Sequence, residues 1–414
     1  MIARALGHVI RTQGDAVIAT LPGVRVGDGA LIRRGNGSTV HAEVTVVERG
    51  RVRLAPLGDV AGIAVGDRVE TAPEALLAPA GFALLGRAVD AAGAPLDGGP
   101  ALDARAFSGA RDDAPAPGER SAIDAPFWTG IRALDALLTI GRGARIGIFG
   151  APGAGKSSLL EAIVANASAD AVVLALIGER GREAARWLER VDARTTIVCA
   201  TSDRNASERI RAAGVAMAHA SVLRARGFHV LLVVDSLARY AAALRERRTA
   251  AGEPPGRGGY PAGVWHDLAR FLERAGNASG GSITTVATVL SDGADDREPL
   301  SDAARSLLDG HVALSSALAH AGRFPAIDVP ASTSRTMADV VDALHLRAAA
   351  RVRAALAYLA ETADARALGA AMGGPGDALV AREAEIEAFL RGTQPSPPGT
   401  TRTALLALAE ALVI

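Results

Sequence analysis

The chain has 414 residues, with 45 Lys+Arg against 45 Asp+Glu, and 49% of its residues are hydrophobic. Balanced charge excludes nucleic acid as a bulk electrostatic partner, and the apolar content excludes a disordered chain. One cysteine, Cys199, excludes a disulfide framework and reads as a buried structural thiol in a reducing compartment; no uncharged apolar run reaches the ~18 residues of a membrane span. The expectation is a soluble cytoplasmic protein of two or three domains.

From Gly7 to Val69 short β-rich runs (Ala16–Ala19, Ala42–Val47, Arg51–Leu54) alternate with turn signals such as Pro22-Gly23, Gly35-Asn36-Gly37 and Gly66-Asp67. Strands of this length and spacing predict a small all-β barrel. The stretch from Thr71 to Gly118 is rich in Ala, Pro, Gly and Asp and reads as a connection. From Ile123 to about Val340 the texture changes. Apolar runs at 145–149, 171–177, 195–199, 230–234 and 282–290 alternate with helical segments, the pattern of a parallel sheet in an α/β domain. From Val341 to Ile414 the chain is rich in Ala, Leu, Arg and Glu at helical spacing. The division predicted is a β-barrel over 1–72, a nucleotide-binding domain over 73–340 that includes the connecting stretch 73–122, and a helical domain over 341–414.

Lys156 is the only lysine among the 45 basic residues. It falls in Gly150-Ala151-Pro152-Gly153-Ala154-Gly155-Lys156-Ser157, which fits G-x-x-x-x-G-K-[ST] between a predicted strand and a predicted helix, Ser158 to Ala167. In that context the glycines let backbone amides wrap a phosphate, and the helix start adds its dipole. Lysine reaches the β- and γ-phosphates as a compact point charge, where the planar fork of arginine fits poorly. Ser157 is the expected Mg²⁺ ligand and Ser158 the next residue of the phosphate cradle. Asp235 closes the apolar run Val230–Val234, which suits a Mg²⁺ shell or, alternatively, the N-cap of the following helix. Glu179 and Arg180 follow the run Ala171–Ile177. They suit a water-polarising carboxylate and a phosphate-contacting cation, and by spacing alone they suit a solvated charged turn equally well. No histidine spacing points to a further metal site.

The run Gly178-Glu179-Arg180-Gly181-Arg182-Glu183 resembles the signature of the rotary-type hexameric ATPases: F1 and V/A subunits, and the flagellar and type III secretion ATPases. Thr129–Asp135, Gly141–Gly143, Arg145–Phe149, Ala200–Arg204, Gly259–Pro261, Gly281–Thr284, Leu307–His311 and Phe324–Val329 resemble the secretion branch. Leu21–Gly27 and Ala55–Asp59 look more like the injectisome enzymes than the flagellar ones.

The resemblance implies an α/β, RecA-like P-loop core with an N-terminal all-β barrel and a C-terminal helical domain. It implies a homohexamer that hydrolyses ATP with Mg²⁺ to energise type III protein secretion, releasing chaperones from export cargo and unfolding it. Its implied partners are a central stalk, peripheral stator proteins, chaperone–cargo complexes and an export gate at the inner membrane, with no nucleic acid. It implies that Glu179 is the catalytic glutamate, Arg180 a phosphate contact, Asp235 the Walker B acid and Arg239 an arginine near the γ-phosphate. Phe324 then packs on adenine, and Arg335 is the finger given to the neighbouring subunit. Read from the residues alone, Arg335 is a surface arginine.

Three departures stand out. Only Met1 to Leu6 precede the barrel, where the family carries a longer segment implicated in stator and membrane contacts. Gly369-Ala370-Ala371 stands for Gly-Ala-Tyr, and Arg323-Phe324 for His-Tyr.

The flagellar export ATPase is the alternative within the family. An RNA translocase would need base-stacking aromatics in the barrel, and Gly7 to Val69 holds no Phe, Tyr or Trp. A non-hydrolysing nucleotide-binding subunit is disfavoured by Glu179 together with Lys156.

Overall fold

The computed structural model describes residues 5–103, 107–108, 113–278, 280–291, 298–370, 372–392 and 394–412; Ala371 of the expected second aromatic position lies outside them. The chain folds into two compact units, Met1–Ala114 with Ala171–Arg226 and Leu232–Arg274, and Pro115–Asp170 with Gly227–Leu231 and Ala275–Ile414.

The first unit opens with six strands, β1 (Leu6–Gln13), β2 (Ala16–Ala19), β3 (Gly29–Arg33), β4 (Thr39–Glu48), β5 (Arg51–Leu57) and β6 (Arg68–Thr71). They close into a barrel in the order β1-β2-β5-β4-β3-β6 with antiparallel neighbours, so the barrel has no free sheet edge. Alternation decides what lies inside: Val40, Ala42 and Val44 of β4 are buried while Thr39 and His41 face out. The barrel interior is made of small and β-branched residues, including Val9, Val17, Ala30, Ile32, Val52, Leu54 and Val69.

The α/β strands are β7 (Ala88–Asp90), β8 (Arg145–Gly150), β9 (Ala171–Ile177), β10 (Thr195–Ala200), β11 (His229–Asp235), β12 (Gly281–Leu290), β13 (Gly310–Leu314) and β14 (Ile327–Ser334). In the first unit β9 pairs with β10 and β10 with β7, all parallel. Every residue of β9 and β10 is buried, the signature of strands covered on both faces. In the second unit β8 lies between β12 and β13, parallel to both, and β14 runs antiparallel on β13.

The helices that matter for the site are α1 (Arg132–Leu137), α2 (Lys156–Asn166), α3 (Gly181–Leu188), α4 (Ala206–Arg224), α5 (Leu237–Ala250) and α6 (Ala262–Glu273). The second unit ends in a helical region that includes α7 (Ala343–Glu361), α8 (Glu383–Leu390) and α9 (Pro398–Ala411). α7 packs on α9, and α1 packs on all three. Asp135 of α1 is buried and accepts bonds from Thr129 N–H, Thr129 Oγ1 and Gly130 N–H, so part of the Thr129–Asp135 motif is a staple of the fold. Burial raises the Asp135 pKa to about 6, against those bonds, which lower it. Among the described residues no helix is long and apolar enough to cross a membrane.

Candidate active site

The second unit carries the phosphate loop. β8 is fixed at its start by Asp309, whose carboxylate accepts from Arg145 N–H, Nε and Nη2 at 2.8, 3.0 and 3.2 Å. Its other end runs into the turn Gly150–Gly155, and α2 starts at Lys156. Gly153 and Gly155 hold φ of +82° and +95°, a region that side-chain-bearing residues resist, and nothing lies within 4 Å of where a Gly153 Cβ would be. Gly155 occupies the N-cap position and no side chain caps α2, which suits first-turn amides directed at a phosphate. Lys156 Nζ reaches back across the loop and donates to the carbonyls of Gly150 and Ala151 at 2.6 and 2.8 Å. Ala154 is buried under the loop, while Pro152, Gly153, Ser157 and Ser158 are exposed.

Phe324 lies against this loop. Its ring edge is 3.9 Å from the position of a Gly155 Cβ, and the residue is 50% exposed. A half-exposed aromatic beside a phosphate loop is a platform for a flat apolar ring.

Arg335 sits elsewhere. Its N–H donates to Asp309 O, and its neighbour Ser334 pairs with Gly310, which pairs with Ile146. That register puts Arg335 beside the start of β8, whereas the loop leaves from the end of β8. The six residues of β8 span roughly 15–20 Å at strand rise. Arg335 is exposed, and Nη2 donates to Arg305 O at 3.3 Å.

The first unit carries the acids. Glu179 follows β9 and is buried, 7% exposed, while Arg180, Gly181 and Arg182 are exposed. The structure thus places a buried carboxylate next to a solvated turn that starts α3. The Glu183 carboxylate accepts the Arg180 N–H at 3.4 Å. The Glu179 carboxylate pairs with Arg239 Nη1 from α5. Gly178, at φ +69°, makes this approach possible, because a Cβ there would lie 3.0 Å from Arg239 Cδ. Partial burial lowers the Arg239 pKa from its ordinary value. Asp235 ends β11, and the cap of α5 is Ser236, whose Oγ accepts Arg239 N–H at 3.3 Å. The alternative use of Asp235 as N-cap is thus taken by its neighbour.

Sequence reading missed the Glu179–Arg239 pair and the pair that the buried Arg323 makes with the half-buried Glu387. Its only advance signal for the second was Arg323 in place of histidine.

A phosphate loop on a parallel α/β sheet, in a chain that begins with a six-stranded β-barrel and ends in helices, defines a P-loop nucleotide-hydrolysing ATPase. Residues 130–334 match the ATP synthase alpha/beta family, nucleotide-binding domain. The chain is 42% identical to the type 3 secretion system ATPase of Sinorhizobium fredii, over 94% of this chain and 88% of that protein. It is 42% identical to the flagellum-specific ATP synthase of Pseudomonas aeruginosa, over 85% of this chain and 80% of that one. Its fold matches the assembled ATPase EscN of the enteropathogenic E. coli type III secretion system with a TM-score of 0.91 at 38% identity, covering 97% of this chain and 100% of the chain in that structure. The chain belongs to the family of type 3 secretion system ATPases and flagellum-specific ATP synthases, and is an ATP-hydrolysing enzyme.

Proposed function

We propose that this chain is the ATPase of a type III protein-secretion apparatus, acting as a homohexamer at the cytoplasmic face of the inner membrane. The observation that carries the reading is the phosphate loop on β8 and α2 with Lys156 drawn across it. ATP is the substrate. Lys156 and the amides of the loop bind its β- and γ-phosphates, and Phe324 packs on the base. The Ser157 hydroxyl and the Asp235 carboxylate are hard oxygen donors, the set that Mg²⁺ takes. When bound, Mg²⁺ supplies positive charge to the phosphate oxygens. Glu179 accepts a proton-side contact from the attacking water and orients it. Arg239 holds the Glu179 carboxylate in place, and Arg180 stabilises charge on the γ-phosphoryl group.

Arg335 acts on the site of the next subunit. The register of β14 on β13 and β8 supports this, because it keeps Arg335 away from the phosphate loop of its own chain. ATP turnover of Arg335→Ala should fall by about 10³–10⁵, the worth of an arginine finger. Mixing Arg335→Ala with Lys156→Ala protomers should restore part of the activity, since some interfaces then combine an intact loop with an intact finger. If hexamers shown to be mixed stay inactive, donation in trans is wrong.

The assembled structure of EscN, and its structure with the central stalk EscO, support self-assembly around a stalk. Stator proteins, chaperone–cargo complexes and the export gate complete the partners that this reading implies. The flagellar export ATPase is the second reading, favoured by the match to the Pseudomonas aeruginosa protein. Complementation of a secretion-ATPase deletion against a flagellar one separates the two.

A further inference from the structure

The segment that carries Phe324 is held from behind by the C-terminal helical region. Arg323 precedes the ring, and its side chain is only 9% exposed. Nη1 bonds the Glu387 carboxylate of α8 at 2.8 Å, and Nη2 donates to Ile327 O at 2.9 Å. Two further bonds tie the segment: Gly392 N–H donates to Phe324 O at 2.9 Å, and the Arg391 side chain donates from Nη1 to Gly322 O at 3.4 Å. Arg391 also lies 3.8 Å from the Glu387 carboxylate. On the far side the pair borders a cavity of about 530 Å³, lined in part by Leu318, Val380 and Ala384. A buried guanidinium without its carboxylate is costly, so loss of Glu387 should displace Arg323 rather than leave it where it is.

We propose that Arg323 is a positioning residue for nucleotide binding: its ion pair with Glu387 ties the ring of Phe324 to α8 and so sets how well the site grips the base. The inference rests on the reading of Phe324 as the base contact. It assigns Glu387, in the C-terminal helical region, a part in base affinity without contact to the nucleotide. The phosphates are gripped by the loop, so the effect is confined to ligands that carry a base.

The test measures binding of a non-hydrolysable ATP analogue and of inorganic tripolyphosphate, both with Mg²⁺, to Glu387→Gln, Phe324→Ala and the double variant, alongside steady-state kinetics. Glu387 is 30% exposed in its side chain, which makes Glu387→Gln the mild variant where Arg323→Ala risks the fold. The expected result is a roughly 3- to 10-fold weaker analogue for Glu387→Gln, with tripolyphosphate unchanged, KM for ATP raised to match and kcat within about twofold. In the Phe324→Ala background Glu387→Gln should add nothing, and Glu387→Asp should recover most of the loss. If Glu387→Gln leaves the analogue untouched while Phe324→Ala weakens it, the base contact stands and the tether is overturned. Equal weakening of both ligands also overturns it, because the pair then acts on the fold of the loop. If Phe324→Ala changes nothing, the base contact itself fails, and the tether with it.

Discussion

At Lys156 the chemistry of one side chain decides the site. Its ammonium is short enough to fold back onto the carbonyls of Gly150 and Ala151, and three rotatable N–H donors let it trade them for phosphate oxygens. Arginine in the same backbone carries a longer, planar fork that cannot fold into that space. Lys156→Arg should therefore lower ATP turnover by about 100-fold or more although charge is kept, measured as phosphate release at saturating ATP. Glu179 is a separate case. Its carboxylate is buried and held by Arg239. Glu179→Gln keeps the shape and loses the charge, so kcat should fall by about 10²–10⁴ while ATP binding persists. A Glu179→Gln enzyme with near-native kcat would remove that residue from the mechanism.

Among the elements, α4 shows how a buried polar group stiffens the first unit. His219 of α4 is buried, and both ring nitrogens are satisfied: Nδ1 accepts Gly81 N–H at 3.1 Å, and Nε2 lies 3.1 Å from Thr196 Oγ1 on β10. Thr196 Oγ1 donates in turn to Leu84 O at 2.6 Å. The neutral imidazole fits this chain; a protonated one would turn a donor onto the Gly81 amide. Burial lowers the His219 pKa to about 4. The folded value lies below the unfolded one, so between them the unfolded chain binds more protons. The stability contribution is complete above pH 6.5 and is lost as pH falls toward 4. Between pH 6.5 and 5 the loss should be about 1–2 kcal/mol, read from urea unfolding, and His219→Gln should flatten that part of the profile.

The pattern of the elements was legible because it is local. Alternating burial along β4 follows from Val40-His41-Ala42-Glu43-Val44, and the apolar runs of β9 and β10 announce strands covered on both faces. The start of α2 was expected at Ser158 and lies at Lys156, because the αL residue Gly155 already turns the chain into the helix. The strand register was not legible. It depends on which strands meet, and periodicity is silent on that.

For the whole molecule the consequence is assembly. If the finger of one chain completes the site of the next, an isolated chain is a poor enzyme. Specific activity should then fall on dilution below the dissociation range of the hexamer, and Arg335→Ala should show a low, flat profile over the same range. A wild-type specific activity independent of concentration, with sedimentation showing monomers, would sink the shared site.

The strand, turn and helix around Lys156 could be read locally, since they are contiguous and the turn needs glycine where φ is positive. The barrel could be read as well, since small apolar residues alternate with polar ones between tight turns. Resemblance added candidate roles to residues whose spacing alone left them open. The fold was needed to bury Glu179 against Arg239, to lay Phe324 on Gly155, and to stand Arg335 at the other end of β8 from the loop. The reason is physical. Those pairings join residues far apart along the chain, and their distances are set by strand register and helix packing, which no local window of side chains encodes.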